Sequence, residues 1–424
     1  MIGVGPAGPI VGPTPDGAPG VSADLSSPRE QPRERHGWHT LELRDLDPAA
    51  ERPFWVALAQ VPGVGPVGFA RLLHRFGSAR AAWAAGAELL TVLPRVADDG
   101  NATLRHLRRE GPSAVLVRVE RATKLAGGEV LTALDGRYPR ALAEIDPRPP
   151  VLYVAGDGDA FDAPGVAIVG TRRATGYGRA CAADLSDELA RAGVTVISGL
   201  ALGIDGEAHA AAVAAGGRSI GVLPSPLDRV YPPRHRELAR RMLACGGALV
   251  SELAAGQSTG RPDFARRNRI IAGLARAVVV VEAPDRSGAL LTAAAAVDYG
   301  RDLYAVPGPI DAVASSGCNR LIADHLASLV TSSTALLHAV GARSGERPVS
   351  VATLSEAEGL VLGGLLRRSA SIEELIGRTG LRTGVLASAL TLLEARGLVD
   401  NYGGATFHPT PAARRIGAVP DRAR

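Results

Sequence analysis

The sequence predicts an α/β protein, a doubly wound parallel sheet with a small N-terminal helical module and a C-terminal winged-helix domain. Three observations predict it. Six β-branched runs, at residues 166–169, 194–197, 219–223, 248–251, 277–281 and 303–306, start 25 to 29 residues apart with helical stretches between them. Near-continuously apolar strands that alternate with helices form a parallel sheet covered on both faces, and ligands of such sheets bind at the carboxyl ends of the strands. Upstream, residues 54–73 carry a helical apolar pattern that continues through Phe76 and Trp83. Downstream, residues 356–366, 372–379 and 383–396 read as three helices and 397–399 and 405–407 as two short strands, the order of a winged helix.

These elements divide the 424 residues in keeping with about 150 residues per domain. Residues 1–45, rich in Gly and Pro toward the start, are expected to form a disordered tail, 46–125 the helical module and 126–338 the sheet core. A linker is expected at 339–350, the winged helix at 351–412 and a second tail at 413–424. In the helical module Pro62-Gly63-Val64-Gly65 fits a helix-hairpin-helix turn, whose N–H groups meet a DNA phosphate, or a plain helix–helix connection; the short pattern favours the plain one. The recognition helix of the winged domain offers Thr383, Gly384, Ala387, Ser388, Thr391 and Glu394 outward, a set poor in the side chains that read base edges. Protein contact or domain packing is as well supported there as DNA reading.

Composition excludes several classes. Apolar residues at 46% and charged residues at 21% are ordinary globular usage, against collagen-like, coiled-coil or wholly disordered readings. No run approaches the roughly 20 apolar residues of a membrane span. The net charge of +4 is mild, so a polyanionic partner requires the positive charge to be concentrated. Lys124 is the single lysine, and its surroundings are neither a glycine-rich phosphate loop nor a Schiff-base site, so neither an ATPase nor a pyridoxal enzyme is expected. Cys181, Cys245 and Cys318 are odd in number and far apart, which argues against a disulfide framework or zinc ribbon and fits a reducing cytoplasm. The first 28 residues hold no Lys or Arg and no continuous apolar region, so a signal peptide is not expected.

The chemistry is expected in the loops after the strands. The first reads Gly170-Thr171-Arg172-Arg173-Ala174-Thr175-Gly176-Tyr177-Gly178, and the second runs from Ser198 and Gly199 through Ala201 and Gly203 to Gly206. Glycines let backbone approach an anion, the following helix N-terminus supplies free N–H groups, and Arg172 adds a two-pronged phosphate donor. Neither loop is Gly-x-Gly-x-x-Gly, and no acidic ribose ligand follows, so no dinucleotide or other cofactor is expected. Residues 261–276 hold five arginines and one aspartate, a local excess equal to that of the whole chain. There Phe264, Arg266, Arg267, Asn268 and Arg269 open a helix, pairing a cationic groove with a stacking ring as single-stranded nucleic acid binding requires. Arg229 and Tyr231 lie in a second segment of this kind. Ser287 and Gly288 begin a helix at the anion pocket rather than supply a nucleophile. Asp205 and His209 read more readily as a helix cap and its neighbour than as a metal cluster, and Cys318 as structural.

Together these stretches resemble the DNA-processing protein A family, DprA or Smf. The matching runs are 166–178 (VAIVGTRRATGYG), 198–209 (SGLALGIDGEAH), Ser251-Glu252, 264–274 (FARRNRIIAGL), 281–293 (VEAPDRSGALLTA), 300–308 (GRDLYAVPG) and 317–322 (GCNRLI), in family order. Tyr138-Pro139 with Leu152-Tyr153 looks like the family's lead-in. The chain departs from the pattern at Leu223-Pro224-Ser225-Pro226, at His235 and at Ala265, where the family generally has proline. The resemblance implies an extended Rossmann-like fold with a SAM or helix-hairpin-helix-like N-terminal module. It also implies a homodimer that binds and protects single-stranded DNA and helps load the RecA recombinase during natural transformation.

Two other readings compete. Nucleoside-monophosphate phosphoribohydrolases share this loop pair, but they carry a glutamate where residues 287–297 hold no carboxylate. A duplex-reading regulator would use the winged helix, yet residues 350–424 hold nine arginines and seven acids, a weak excess for groove binding.

Overall fold

The computed structural model describes residues 37–38, 41, 43–342 except 87, 94, 95 and 164, and 354–413 except 396, 397, 402–405, 411 and 412. The chain divides into two compact units between Gly345 and Glu346. Most of the expected tails and of the linker falls outside the described residues.

Among the described residues, the first unit has, after a 3-10 turn at Leu43–Asp45, six α-helices before its sheet: α1 (Pro48–Ala59), α2 (Pro66–Phe76), α3 (Ala79–Ala84), α4 (Glu88–Thr91), α5 (Asp98–Glu110) and α6 (Pro112–Leu125). Pro at the start of α1, α2 and α6 loses no hydrogen bond, because its missing N–H would be unpaired there in any case. Contrary to the expected tail, Trp38 is a core residue. Its indole Nε1 donates to Pro66 O at 3.2 Å, and its ring stacks on Phe69 with centroids 6.0 Å apart. A large aromatic with a paired N–H gains more from burial than an extended segment does from solvent.

The sheet has nine strands: β1 (Gly128–Thr132), β2 (Val151–Gly156), β3 (Gly165–Val169), β4 (Thr195–Ser198), β5 (Ser219–Val222), β6 (Ala248–Ser251), β7 (Ala277–Val280), β8 (Asp302–Ala305) and β9 (Ser328–Leu329). Their order is β1-β2-β6-β5-β4-β3-β7-β8-β9. All six runs read from the sequence are strands, and β3 through β9 pair in parallel. β1 and β2 extend one edge by antiparallel pairing. Val166, Ile168, Val279 and Val281 face one layer, with α8 (Gly176–Arg191) and α9 (Ile204–Ala214). Ala167, Val169, Val278 and Val280 face the other, with α11 (Arg261–Leu274) and α12 (Ala289–Asp298). The period-2 alternation of a strand produces this division. The remaining helices of the unit are α7 (Arg140–Ala143), α10 (Arg236–Ala244), α13 (Ser316–Ala323) and α14 (Ser333–Ala339).

The helical module shares its core with the sheet edge: Trp55, Leu58 and Phe69 join Tyr153, Ala155 and Leu249 in one cluster. Arg52 fastens the two together, donating to Asp135 at 2.8 Å, Glu120 at 2.9 Å and Val130 O at 2.8 Å. At the far end, Val340 is buried against the core, so the ordered unit reaches into the stretch read as linker.

The second unit contains α15 (Glu356–Arg367), β10 (Ala370–Ser371), α16 (Ile372–Thr379), α17 (Thr383–Ala395), β11 (Val399–Asp400) and β12 (Thr406–Pro409). The strands pair antiparallel in the order β10-β12-β11. Ser355 with Glu358 and Ser371 with Glu374 form reciprocal caps that start α15 and α16. The six residues expected to face outward on α17 are exposed.

Candidate nucleic-acid interface

The chain runs β3 to β6 toward one edge and then returns to place β7 on the other side of β3. A crevice opens at such a reversal, at the carboxyl ends of the strands. A cavity of about 470 Å³ occupies it, walled by Gly170–Arg172 after β3, Ala201 after β4, Pro284, Arg286, Ser287 and Gly288 after β7, and the first half of α11. Four arginines line it, Arg172, Arg261, Arg267 and Arg286, and Asp205 is the single lining carboxylate. Helices α11 and α12 both begin here, adding their positive dipole ends to those charges.

The loop after β3 is held rigidly. Thr171 N donates to Glu282 O at 2.7 Å, and the Glu282 side chain accepts from Thr175 N at 2.8 Å and Thr175 Oγ1 at 2.6 Å. A Cβ on Gly178 would lie 2.5 Å from a Glu282 carboxylate oxygen, so this buried acid depends on glycine beside it. The result is an exposed Arg172 on a fixed backbone. Glu282 falls in the resembling stretch, but nothing in the sequence marks it as the anchor of a loop 107 residues earlier.

Arg267 is placed otherwise than its position in an arginine-rich segment suggests. It is 6% exposed, and its Nη1 donates to Val222 O at 2.8 Å. A Cβ on Gly199 would sit 1.6 Å from Nη1, so the guanidinium occupies the space that glycine leaves. Burial pushes its pKa down to about 10, while Asp205 opposes the shift. Arg267 therefore stays cationic at neutral pH.

Asp205 lines the same cavity and acts on Arg267 electrostatically. Expected as the cap of α9, its carboxylate instead accepts from Gly199 N at 3.1 Å and Ala201 N at 3.4 Å, and the cap position of α9 is Gly203. Burial pushes the Asp205 carboxyl up, against the pull of Arg267 and these N–H groups. Among the described residues no cluster of His, Cys, Asp and Glu is arranged to hold a metal.

His209 is buried and neutral, its pKa pushed down to about 3 chiefly by burial. The Ser219 hydroxyl donates to Val196 O at 2.9 Å, so it accepts from His209 Nδ1 at 2.7 Å. His209 Nε2 is then free to accept from Leu200 N at 3.3 Å. His235, a departure from the family pattern, holds Leu200 O through Nδ1 at 2.8 Å. Leu200, at φ 54, is thus clamped from both sides.

Phe264 is half-buried at the cavity wall and belongs to no core cluster. Tyr231, 45% exposed, meets it edge-on with centroids 5.4 Å apart, and the Arg172 guanidinium lies 5.2 Å from its centroid. These three residues wall a narrow cleft with Gly199, Pro224 and Arg267. Asn268 donates to Gly288 O at 3.1 Å and Ser287 Oγ accepts from Ala289 N at 3.3 Å, tying α11 to the start of α12. Gly203, at φ 77, brings the second loop against Thr171 O.

Four expected residues lie elsewhere. Arg269 is turned from the cavity, donating to Pro147 O at 2.9 Å and pairing with Glu252. Arg266 is exposed and faces Asp263 at 3.6 Å. Ser198 is buried, its hydroxyl donating to Ile168 O at 2.6 Å between two strands. Arg229 is exposed outside the cavity, engaged through its carbonyl with Ser225. Two residues, about 200° of helical rotation, separate Arg267, which lines the pocket, from Arg269, which braces the fold. Arg261 and Arg286, absent from the expected set, line the cavity, and their sign in the sequence is placement at or just before a helix start. Cys318 is buried, its thiol pushed up to about 12 mainly by burial, which leaves it inert as a nucleophile.

Comparison with known proteins agrees with this architecture. Residues 129–341 match the family model described as DNA recombination-mediator protein A, and residues 49–111 match that of a DprA-like N-terminal HHH domain. The turn at Val61–Gly65 therefore belongs to a helix-hairpin-helix domain rather than a plain connection. The chain is 38% identical over 297 residues to Protein Smf of Synechocystis sp., covering 69% of this chain and 73% of that protein. It is 40% identical over 199 residues to DNA processing protein DprA of Streptococcus pneumoniae, covering 47% and 70%. The X-ray structure of DprA from that organism superposes with a TM-score of 0.57 at 30% identity, over 68% of this chain and 97% of that one. On these matches, and on the paired family models that span both its helical module and its sheet, the chain belongs to the DprA/Smf family of DNA-processing proteins.

Proposed function

We propose that the cavity at the carboxyl edge of the sheet binds the backbone of single-stranded DNA, and that the protein shields incoming DNA and passes it to the RecA recombinase during transformation. The observation that carries this reading is the pairing of a four-arginine cavity with a half-open aromatic cleft that shares Arg172 and Arg267 with it. Phosphates meet the first and bases stack in the second, a division of labour single-strand binders use. A family described as recombination mediators supports a recombinase as the receiving partner, and by resemblance to that family the protein is expected to act as a homodimer. The lining set offers no free general acid or base, since its one carboxylate is buried and accepts from loop amides, so binding rather than hydrolysis is the expected activity.

The test is affinity for fluorescent oligothymidine, single against double strand, across a salt series. We expect single-strand preference and a steep salt dependence that Arg172→Ala flattens by about one phosphate contact. Wild-type affinity and slope in that variant, or release of free base from nucleoside monophosphates that disappears in it, would overturn the reading.

A further inference from the structure

A second cavity, of about 500 Å³, opens beside the first, between the start of α8, the first turn of α9 and α10. Arg172, Arg173, Arg179, Arg234 and Arg241 line it with His235, and Glu207 is its single carboxylate. Arg179 donates to a neutral partner, Ala174 O, at 2.7 Å. Arg173, Arg234 and Arg241 form no salt bridge among the described residues, whereas their neighbour Arg240 is bonded to Glu237 at 2.6 and 2.9 Å. Like charges held this close repel one another, and a polyanion relieves that repulsion.

The two cavities meet. Arg172 lines both of them and the aromatic cleft, and Leu202 lines the cleft and the second cavity. Positive surface therefore continues around Arg172 from α11 to α10. A duplex, stiff over about 150 base pairs, does not turn such a corner, and a single strand does.

We propose that the second cavity is a phosphate-binding subsite for the same single strand, engaging its backbone a few nucleotides beyond those in the central cavity. This rests on the single-strand reading above and adds a direction and a length to it. Arg234 and Arg241 supply the far contacts, while Arg172 serves both segments.

The experiment uses the full chain, its Arg234→Ala/Arg241→Ala double variant and the matching Arg→Lys pair, with oligothymidines of about 8 and about 20 nucleotides. Each single-strand contact contributes about 0.7 to the salt slope, so the double variant should lose about 1.4 with the longer strand. Its affinity near 0.1 M salt should fall about tenfold, with the shorter strand changed less than about twofold and the lysine pair close to wild type. Equal weakening of both lengths would overturn the subsite, as would no change for either length while Arg172→Ala weakens both. If Arg172→Ala also leaves both lengths at wild-type affinity, the single-strand reading itself falls. Both positions are exposed, and thermal melting of each variant checks that it is folded.

Discussion

Phe264 separates charge from stacking. Its ring is half-buried between Tyr231 and Arg172 and joins none of the apolar clusters, so Phe264→Ala opens a cleft rather than a core void. Single-strand affinity is expected to fall by about 1 to 3 kcal/mol with the salt slope unchanged. Melting temperature measured beside affinity would expose the opposite outcome, a stability loss of about 3 to 5 kcal/mol with affinity intact. His209 predicts a pH dependence. Its folded pKa near 3 lies below the ordinary value of 6.5, so between those values the unfolded chain binds the extra proton and stability is lost as pH falls. The full slope from one such group is about 1.4 kcal/mol per pH unit. Thermal melts from pH 7 to 4 should therefore be shallower in His209→Gln; equal slopes would remove His209 from the account.

The loop between β4 and α9 is the element on which the site depends. A Cβ at Gly199 would collide with Arg267, so Gly199→Ala must displace a buried cation from its carbonyl partner, Val222 O. Leaving a buried donor and its carbonyl unpaired costs about 1 to 3 kcal/mol, and denaturant melts should show a loss of that order. A variant of wild-type stability would mean that the guanidinium has room to move. The sequence made the six central strands legible because each is a β-branched run on a regular βα spacing. β1 and β2 escaped it, since Gly128-Glu129 begins the first and both pair antiparallel outside that rhythm. Arg267 was legible as a site residue but not as a buried one, although it stands three and four residues before Ile270 and Ile271 on the inner face of α11. Helical period marks it, where the run of arginines conceals it. Glu282 and its bond to Thr175 depend on tertiary pairing that local pattern does not carry.

Across the whole molecule, the boundary of the folded unit lies earlier than composition suggests. Trp38 is 1% exposed and seals the module that Arg52 and Gln60 join to the sheet. Trp38→Ala should cost about 3 to 5 kcal/mol and lower the melting temperature of the whole first unit, because module and sheet share one core. Two separated melting transitions for that unit would contradict the shared core. The Arg267 guanidinium in the gap at Gly199 bears on how genetics would read this protein. A missense allele at either position is expected to score as a defect in DNA handling, yet a stability loss of even about 1 to 2 kcal/mol lowers the amount of folded protein in the cell. Allele collections selected for that phenotype would be enriched in such positions, and immunoblots of protein level would separate them from alleles at Arg172, where the protein is expected to persist and strand binding to weaken.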